Sequence, residues 1–180
     1  MVYEDLTSSL PDGGLNGCGN SAKTGRIVGG TEADNWPWLV RLEIAGSGHF
    51  DQCTGTILDR ESILTTARCC HSASSATDIN VHVGNGSFIV KGLSYAQHPN
   101  FDANGSTIQS RSNDVCVLKV PNLKNESENT SCNNCFESIC LSAAQYQPGR
   151  ACWTAGWGAT EYQVKRFNLS AEITETPKTV

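Results

Sequence analysis

Apolar residues arrive along this chain in short bursts bounded by turn formers: Trp36 to Ile44, Thr56 to Leu58, Ile63 to Ala67, Ile79 to Val83, Phe88 to Leu93 and Val115 to Val120. Several bursts alternate apolar and polar positions, and none sustains a 3.6-residue period. Six such runs at near-regular spacing predict an all-β fold, an antiparallel barrel or sandwich, rather than a helical one. Residues 1–25 are polar, rich in Gly, Ser and Asn, and carry no period that would bury a face, so they read as a leader. Residues 121–139 turn polar again around the close pair Cys132 and Cys135, which reads as a surface loop or linker. A second apolar region opens at Ala151 to Trp157, followed by a polar stretch to Val180. Strands opening there without partners would leave an apolar edge, including Trp153 and Trp157, uncovered.

Composition narrows the setting. With 180 residues the chain suits one domain or a little more, on a scale of about 100–200 residues per domain. Thirteen Lys+Arg against eighteen Asp+Glu give a net charge of -5 with no basic run, which argues against nucleic acid and acidic membranes as partners. No apolar stretch approaches the roughly 18 residues of a membrane span, and Met1 to Leu10 lacks the apolar centre of a signal peptide. Nine cysteines nonetheless indicate an oxidising, extracellular compartment. Five N-x-[ST] acceptors, Asn85, Asn104, Asn125, Asn129 and Asn168, point the same way. Secreted chemistry without an export signal implies a true N-terminus upstream of Met1, or an incompletely assembled reading frame. An odd cysteine count leaves at least one without a partner in this chain.

Five motifs then follow in order. Arg26-Ile27-Val28-Gly29-Gly30 precedes Trp36-Pro37-Trp38. Cys53-Thr54-Gly55-Thr56-Ile57-Leu58 is followed by Ile63-Leu64-Thr65-Thr66-Ala67-Arg68-Cys69. His98-Pro99-Asn100-Phe101 leads to Asn113-Asp114-Val115-Cys116-Val117-Leu118-Lys119. Cys140-Leu141 and Cys152-Trp153-Thr154-Ala155-Gly156-Trp157-Gly158 complete the set. Across about residues 18–160 the chain resembles the trypsin/chymotrypsin-like serine proteases, the peptidase S1 family. The resemblance implies the first six-stranded Greek-key barrel of a two-barrel fold over residues 27–141, after a leader or propeptide remnant at 1–26. Residues 142–180 would be the crossing segment and an incomplete second barrel.

In that family, cleavage after the residue matched by Arg26 frees the α-amino group matched by Ile27. The resemblance therefore implies a zymogen activated by a trypsin-like protease that prefers a basic residue. It also implies disulfides Cys53–Cys69, Cys70–Cys116 and Cys18–Cys140, with Cys132–Cys135 as a local pair and Cys152 left over, its partner lying beyond Val180. A zinc site on Cys132, Cys135 and Cys140 would have three ligands and no nearby His, short of the usual four. No cofactor and no metal are expected.

Hydrolysis by this family needs a serine nucleophile, an imidazole base and an orienting aspartate. Asp114 matches the aspartate. The His position holds Arg68, whose guanidinium stays protonated and cannot serve as a base. The 180 residues contain no Gly-Asp-Ser-Gly-Gly, so the serine nucleophile is absent from them. His71 lies three residues after Arg68, beyond two cysteines, and reaching the same point would require that turn to repack. His49, His82 and His98 read as polar strand-edge or loop residues. An Arg68 to Asp114 ion pair is expected in place of the catalytic dyad, since a carboxylate near a buried site needs a counter-charge. The function implied is that of a secreted serine endopeptidase domain acting on protein substrates, inactive as written; the alternative is a pseudoprotease that binds a protein partner.

Overall fold

The structure, a computed structural model, describes residues 36–46, 49–103, 112–130, 132, 135–141, 151–157 and 174–179. Seven strands form one antiparallel sheet: β1 (Leu39–Gly46), β2 (His49–Asp59), β3 (Ser62–Thr65), β4 (Ile79–Val83), β5 (Phe88–Lys91), β6 (Ser94–Gln97) and β7 (Cys116–Lys119). Their order is β5-β4-β1-β2-β3-β7-β6. The two ends of that order, β5 and β6, are consecutive in the chain, so the sheet curls until its edges meet in a single bent strand. At the bend Gly92 donates its N–H to Ile79 O of β4 at 3.0 Å, and Leu93 donates to Lys119 O of β7 at 2.8 Å. A Cβ on Gly92 would lie 2.5 Å from Ala76 O and 2.8 Å from Leu118 Cδ1, so only glycine fits this corner. Counted this way, the seven segments are the six strands of a barrel.

Period-two alternation builds the interior. Val40, Leu42 and Ile44 of β1 meet Ile57 of β2, Ile63 of β3, Val81 and Val83 of β4 and Leu118 of β7, all at most 1% exposed. Arg41 and Glu43, at the intervening positions, face outward. Between β4 and β5, Gly84 and Asn85 both take positive φ (59° and 56°), and Gly86 donates to Val83 O at 3.1 Å. This turn opens a four-residue hairpin loop, 84–87, between the paired Val83 and Phe88.

Two sequence expectations need correction. Residues 121–139 are more than a surface loop. Asn122 caps a short helix, α2 (Leu123–Glu128), by accepting from Lys124 N–H at 3.2 Å; Leu123 and Cys132 are buried in the barrel core. Trp157 is not an uncovered edge. It follows β8 (Ala151–Gly156), which pairs with β9 (Thr174–Thr179), and the residue is 8% exposed in a second cluster with Trp38 and Leu39. Its backbone N–H donates to Thr54 Oγ1 at 3.1 Å, which pins the second sheet to β2. The side chain of Trp153 lies outside the described residues.

Truncating a side chain inside the barrel is expected to cost far more than truncating one outside it. Leu42→Ala should destabilise the fold by about 2–5 kcal/mol in urea denaturation, whereas Ile89→Ala, 56% exposed on β5, should stay within about 0.5 kcal/mol.

Candidate active site

The site is assembled on one turn of helix, α1 (Ala67–Ser72), and on the loop entering β7. Thr66 caps α1: its backbone is extended and its Oγ1 accepts from Cys69 N–H at 3.3 Å. Cys69 and Cys70, adjacent on α1, bond in two directions. Cys69 is disulfide-bonded to Cys53 of β2 and Cys70 to Cys116 of β7. Gln97 of β6 adds a third tie, donating from Nε2 to Ala67 O at 2.8 Å. The helix turn is thus fixed to three strands of the barrel.

Asp114 enters from the other side. Asn113 before it holds a positive φ of 61°, a conformation that Asn tolerates better than most residues, and its Nδ2 donates to Asn100 O at 3.3 Å. Val115 N–H closes the turn on Asn113 O at 2.8 Å. The Asp114 carboxylate then accepts two bonds from a single residue: Arg68 N–H to Oδ1 at 2.9 Å and Arg68 Nε to Oδ2 at 2.7 Å. The first satisfies a backbone donor that the opening turn of a helix leaves free. The carboxylate is 12% exposed and the Arg68 side chain 67%, so the pair sits at the surface with the acid inside and the guanidinium reaching over it.

Both oxygens that could orient an imidazole are therefore engaged by Arg68. His71 lies elsewhere on α1, its ring edge-on to Phe101 at 6.2 Å. His98 remains a loop residue, with Nδ1 accepting from Asn100 N–H at 3.2 Å. His82 departs from the strand-edge expectation. It lies in β4, between β1 and β5, and is 9% exposed. Arg41 donates to its Nδ1 at 3.0 Å and its Nε2 lies 2.9 Å from Glu43 Oε2, an arrangement met by a ring protonated on Nε2. Period-two alternation in β1 places Arg41 and Glu43 on one face, but nothing local says that His82 lies between them.

Cys132 and Cys135 form a disulfide and Cys140 is also disulfide-bonded, so these sulfurs are not available as zinc thiolates. Among the acceptor asparagines, Asn85 lies exposed in the β4–β5 turn and Asn125 and Asn129 lie exposed on and just after α2. Cys18, Arg26, Ile27, Asn104 and Asn168 lie outside the described residues, as do the side chains of Cys152 and His49. No helix among the described residues is long and apolar enough to cross a membrane.

A curled antiparallel barrel carrying a doubly disulfide-bonded helix turn beside an aspartate on the loop entering β7 is the arrangement of a serine protease fold. The trypsin family model matches residues 27–177, and this chain belongs to that family. Trypsin delta and trypsin gamma of Drosophila erecta are each 29% identical to it over 141 residues, 74% of this chain and 50% of theirs. The chain thus spans about half the length of these curated relatives. A solved structure titled GrC superposes with a TM-score of 0.64 at 21% identity, covering 84% of this chain and 64% of that one. Neuropsin, a serine protease expressed in the limbic system of mouse brain, gives 0.61 at 19% identity, covering 84% of this chain and 63% of that one. These two structural likenesses bear on the fold alone.

Two measurements separate what holds this site from what decorates it. Replacing Cys70 and Cys116 together by Ala, which opens a cross-link spanning 46 residues, is expected to lower stability by about 4 kcal/mol on the loop-entropy scale. A double-mutant cycle on Arg68 and Asp114 should return a coupling of less than about 1 kcal/mol, because the guanidinium is largely solvated and screened.

Proposed function

We propose that this chain is a secreted, trypsin-like serine endopeptidase domain that has lost hydrolysis at the residue where the family keeps its general base. The observation that carries this reading is Arg68, bonded through both N–H and Nε to the Asp114 carboxylate. Proton transfer from an attacking hydroxyl needs a base whose pKa lies near the working pH, and a guanidinium offers no acceptor at any pH where the protein is folded. Asp114 here orients an arginine, not an imidazole.

The domain division that goes with this reading is a leader at 1–26, a first barrel at 27–141, and a crossing segment with the start of a second barrel at 142–180. Arg26 and Ile27 are the proposed activation junction, cut by a trypsin-like protease. The disulfides and the exposed acceptor asparagines Asn85, Asn125 and Asn129 support an extracellular glycoprotein. A second reading, a pseudoprotease serving as an extracellular binding or regulatory module, is favoured by the same pair. Arg68 satisfies Asp114 where loss of the imidazole would otherwise leave the carboxylate without a counter-charge, and the fold stays intact for binding.

The chain, cleaved after Arg26, is expected to show no turnover of a fluorogenic peptide amide and no labelling by a fluorophosphonate serine probe. Joined to a trypsin second barrel that supplies the serine, the chain carrying Arg68→His should turn over the peptide about a hundredfold or more faster than the same fusion with Arg68, and equal rates would overturn the reading. Labelling of the unaltered chain would overturn the reading.

A further inference from the structure

The loop between β4 and β5 carries an Asn-Gly step, Asn85-Gly86, and Asn85, Gly86 and Ser87 are all exposed. The Asn-Gly steps Asn16-Gly17 and Asn104-Gly105 lie outside the described residues. If the Gly86 nitrogen closes onto Asn85 Cγ, the product is a five-membered imide. Closure requires that nitrogen to eclipse Cβ across the Cα–C bond, which sets ψ of the asparagine near about -120°, the value at the first central residue of a type II′ turn, where φ is about +60°. Asn85 already has φ 56°. Its loop holds two overlapping turns, closed by Gly86 N–H to Val83 O at 3.1 Å and by Ser87 N–H to Gly84 O at 3.2 Å. Rotating the one peptide unit between Asn85 and Gly86 converts the second turn to type II′ and keeps the Ser87 bond. The rotation gives up only the Gly86 bond, whose partners water can take over at this exposed position. It also carries Gly86 from φ 87° to a negative φ; glycine accepts both signs, and no atom lies within 4 Å of where a Cβ would stand.

We propose that Asn85 is a site of spontaneous deamidation in the folded chain, through a cyclic imide with Gly86. The Gly86 nitrogen gives up its proton and bonds to Asn85 Cγ, and Nδ2 leaves as ammonia, taking up a proton. Water then opens the ring: addition at Cγ gives aspartate, and addition at the main-chain carbonyl gives isoaspartate. Either product adds a negative charge and removes the acceptor asparagine of Asn85-Gly86-Ser87. Isoaspartate also adds one carbon to the main chain, in a loop whose first residue, Gly84, is backed by the Cys135 sulfur. A sugar on Nδ2 would take away the free amide, so the two modifications exclude each other at this residue. The inference does not depend on secretion or on hydrolysis. Asn113 is the comparison within the same chain. It is exposed with φ 61°, but the next residue is Asp114, and the carbonyl between them is held by Val115 N–H at 2.8 Å, so that peptide is not free to rotate.

Incubating the full chain, made without glycosylation and kept folded at neutral pH in heavy-oxygen water, tests this by peptide mass mapping. One heavy oxygen is expected at position 85, in a mixture of isoaspartate and aspartate, at a rate about tenfold or more above that at Asn113. A parallel sample unfolded in urea separates the folded turn from the bare dipeptide. Incorporation at position 85 only in urea, a rate no faster than at Asn113, or aspartate without isoaspartate would overturn the proposal.

Discussion

Closure of the barrel is the constraint on which the rest of this structure depends. A curled sheet leaves no exposed edge only if one strand pairs with a different neighbour on each side of a corner, and the stretch from Phe88 to Gln97 does this. Gly92 makes the corner possible because Ala76 O and Leu118 Cδ1 occupy the space that a side chain would need. Once β6 is paired to β7, the loop between them must return close to where it left. That return places Asp114 beside the end of β3, where α1 begins. The acid and the helix turn meet because the sheet closes, although 46 residues separate Arg68 from Asp114.

Local cross-links then convert proximity into fixed geometry. Two adjacent cysteines on a helix cannot both face inward, and here each takes a different strand, Cys69 to β2 and Cys70 to β7. The helix turn consequently has little freedom to rotate. Asp114 bonds its backbone as well as a side chain, so part of the acid's placement is independent of what residue stands at 68. That distinction separates what positions the acid from what neutralises it. The backbone bond, the Thr66 cap and the disulfides do not use the side chain at 68, so any residue there that keeps its N–H can make them; only the Nε bond requires arginine.

Much of the fold was legible because burial on one face imposes period two, and the six apolar runs all lie in the barrel. What escaped was the part without that signature. Ser94 to Gln97 is half-exposed or exposed along its length, so its membership of the sheet follows from pairing to β7, not from its own pattern. His82 looked like a polar strand-edge residue, yet Arg41 and Glu43 of β1, some 40 positions earlier, enclose it. Trp157 suggested an uncovered edge because its partners, Trp38 and Leu39, stand at the start of β1, more than a hundred positions earlier in the chain. The Arg68–Asp114 contact was the exception among long-range features. It could be read from the chain because family-like motifs bring those two positions together and opposite charges then have one economical arrangement.

Asp114 has a donor on each oxygen, one of them a backbone group. A carboxylate met by one backbone N–H and one solvated guanidinium keeps its place mainly through the backbone bond, because the exposed half of the ion pair is screened by water and salt. The loop entering β7 is therefore held against α1 by that bond and by the Cys70–Cys116 cross-link, with little added by the charge at position 68.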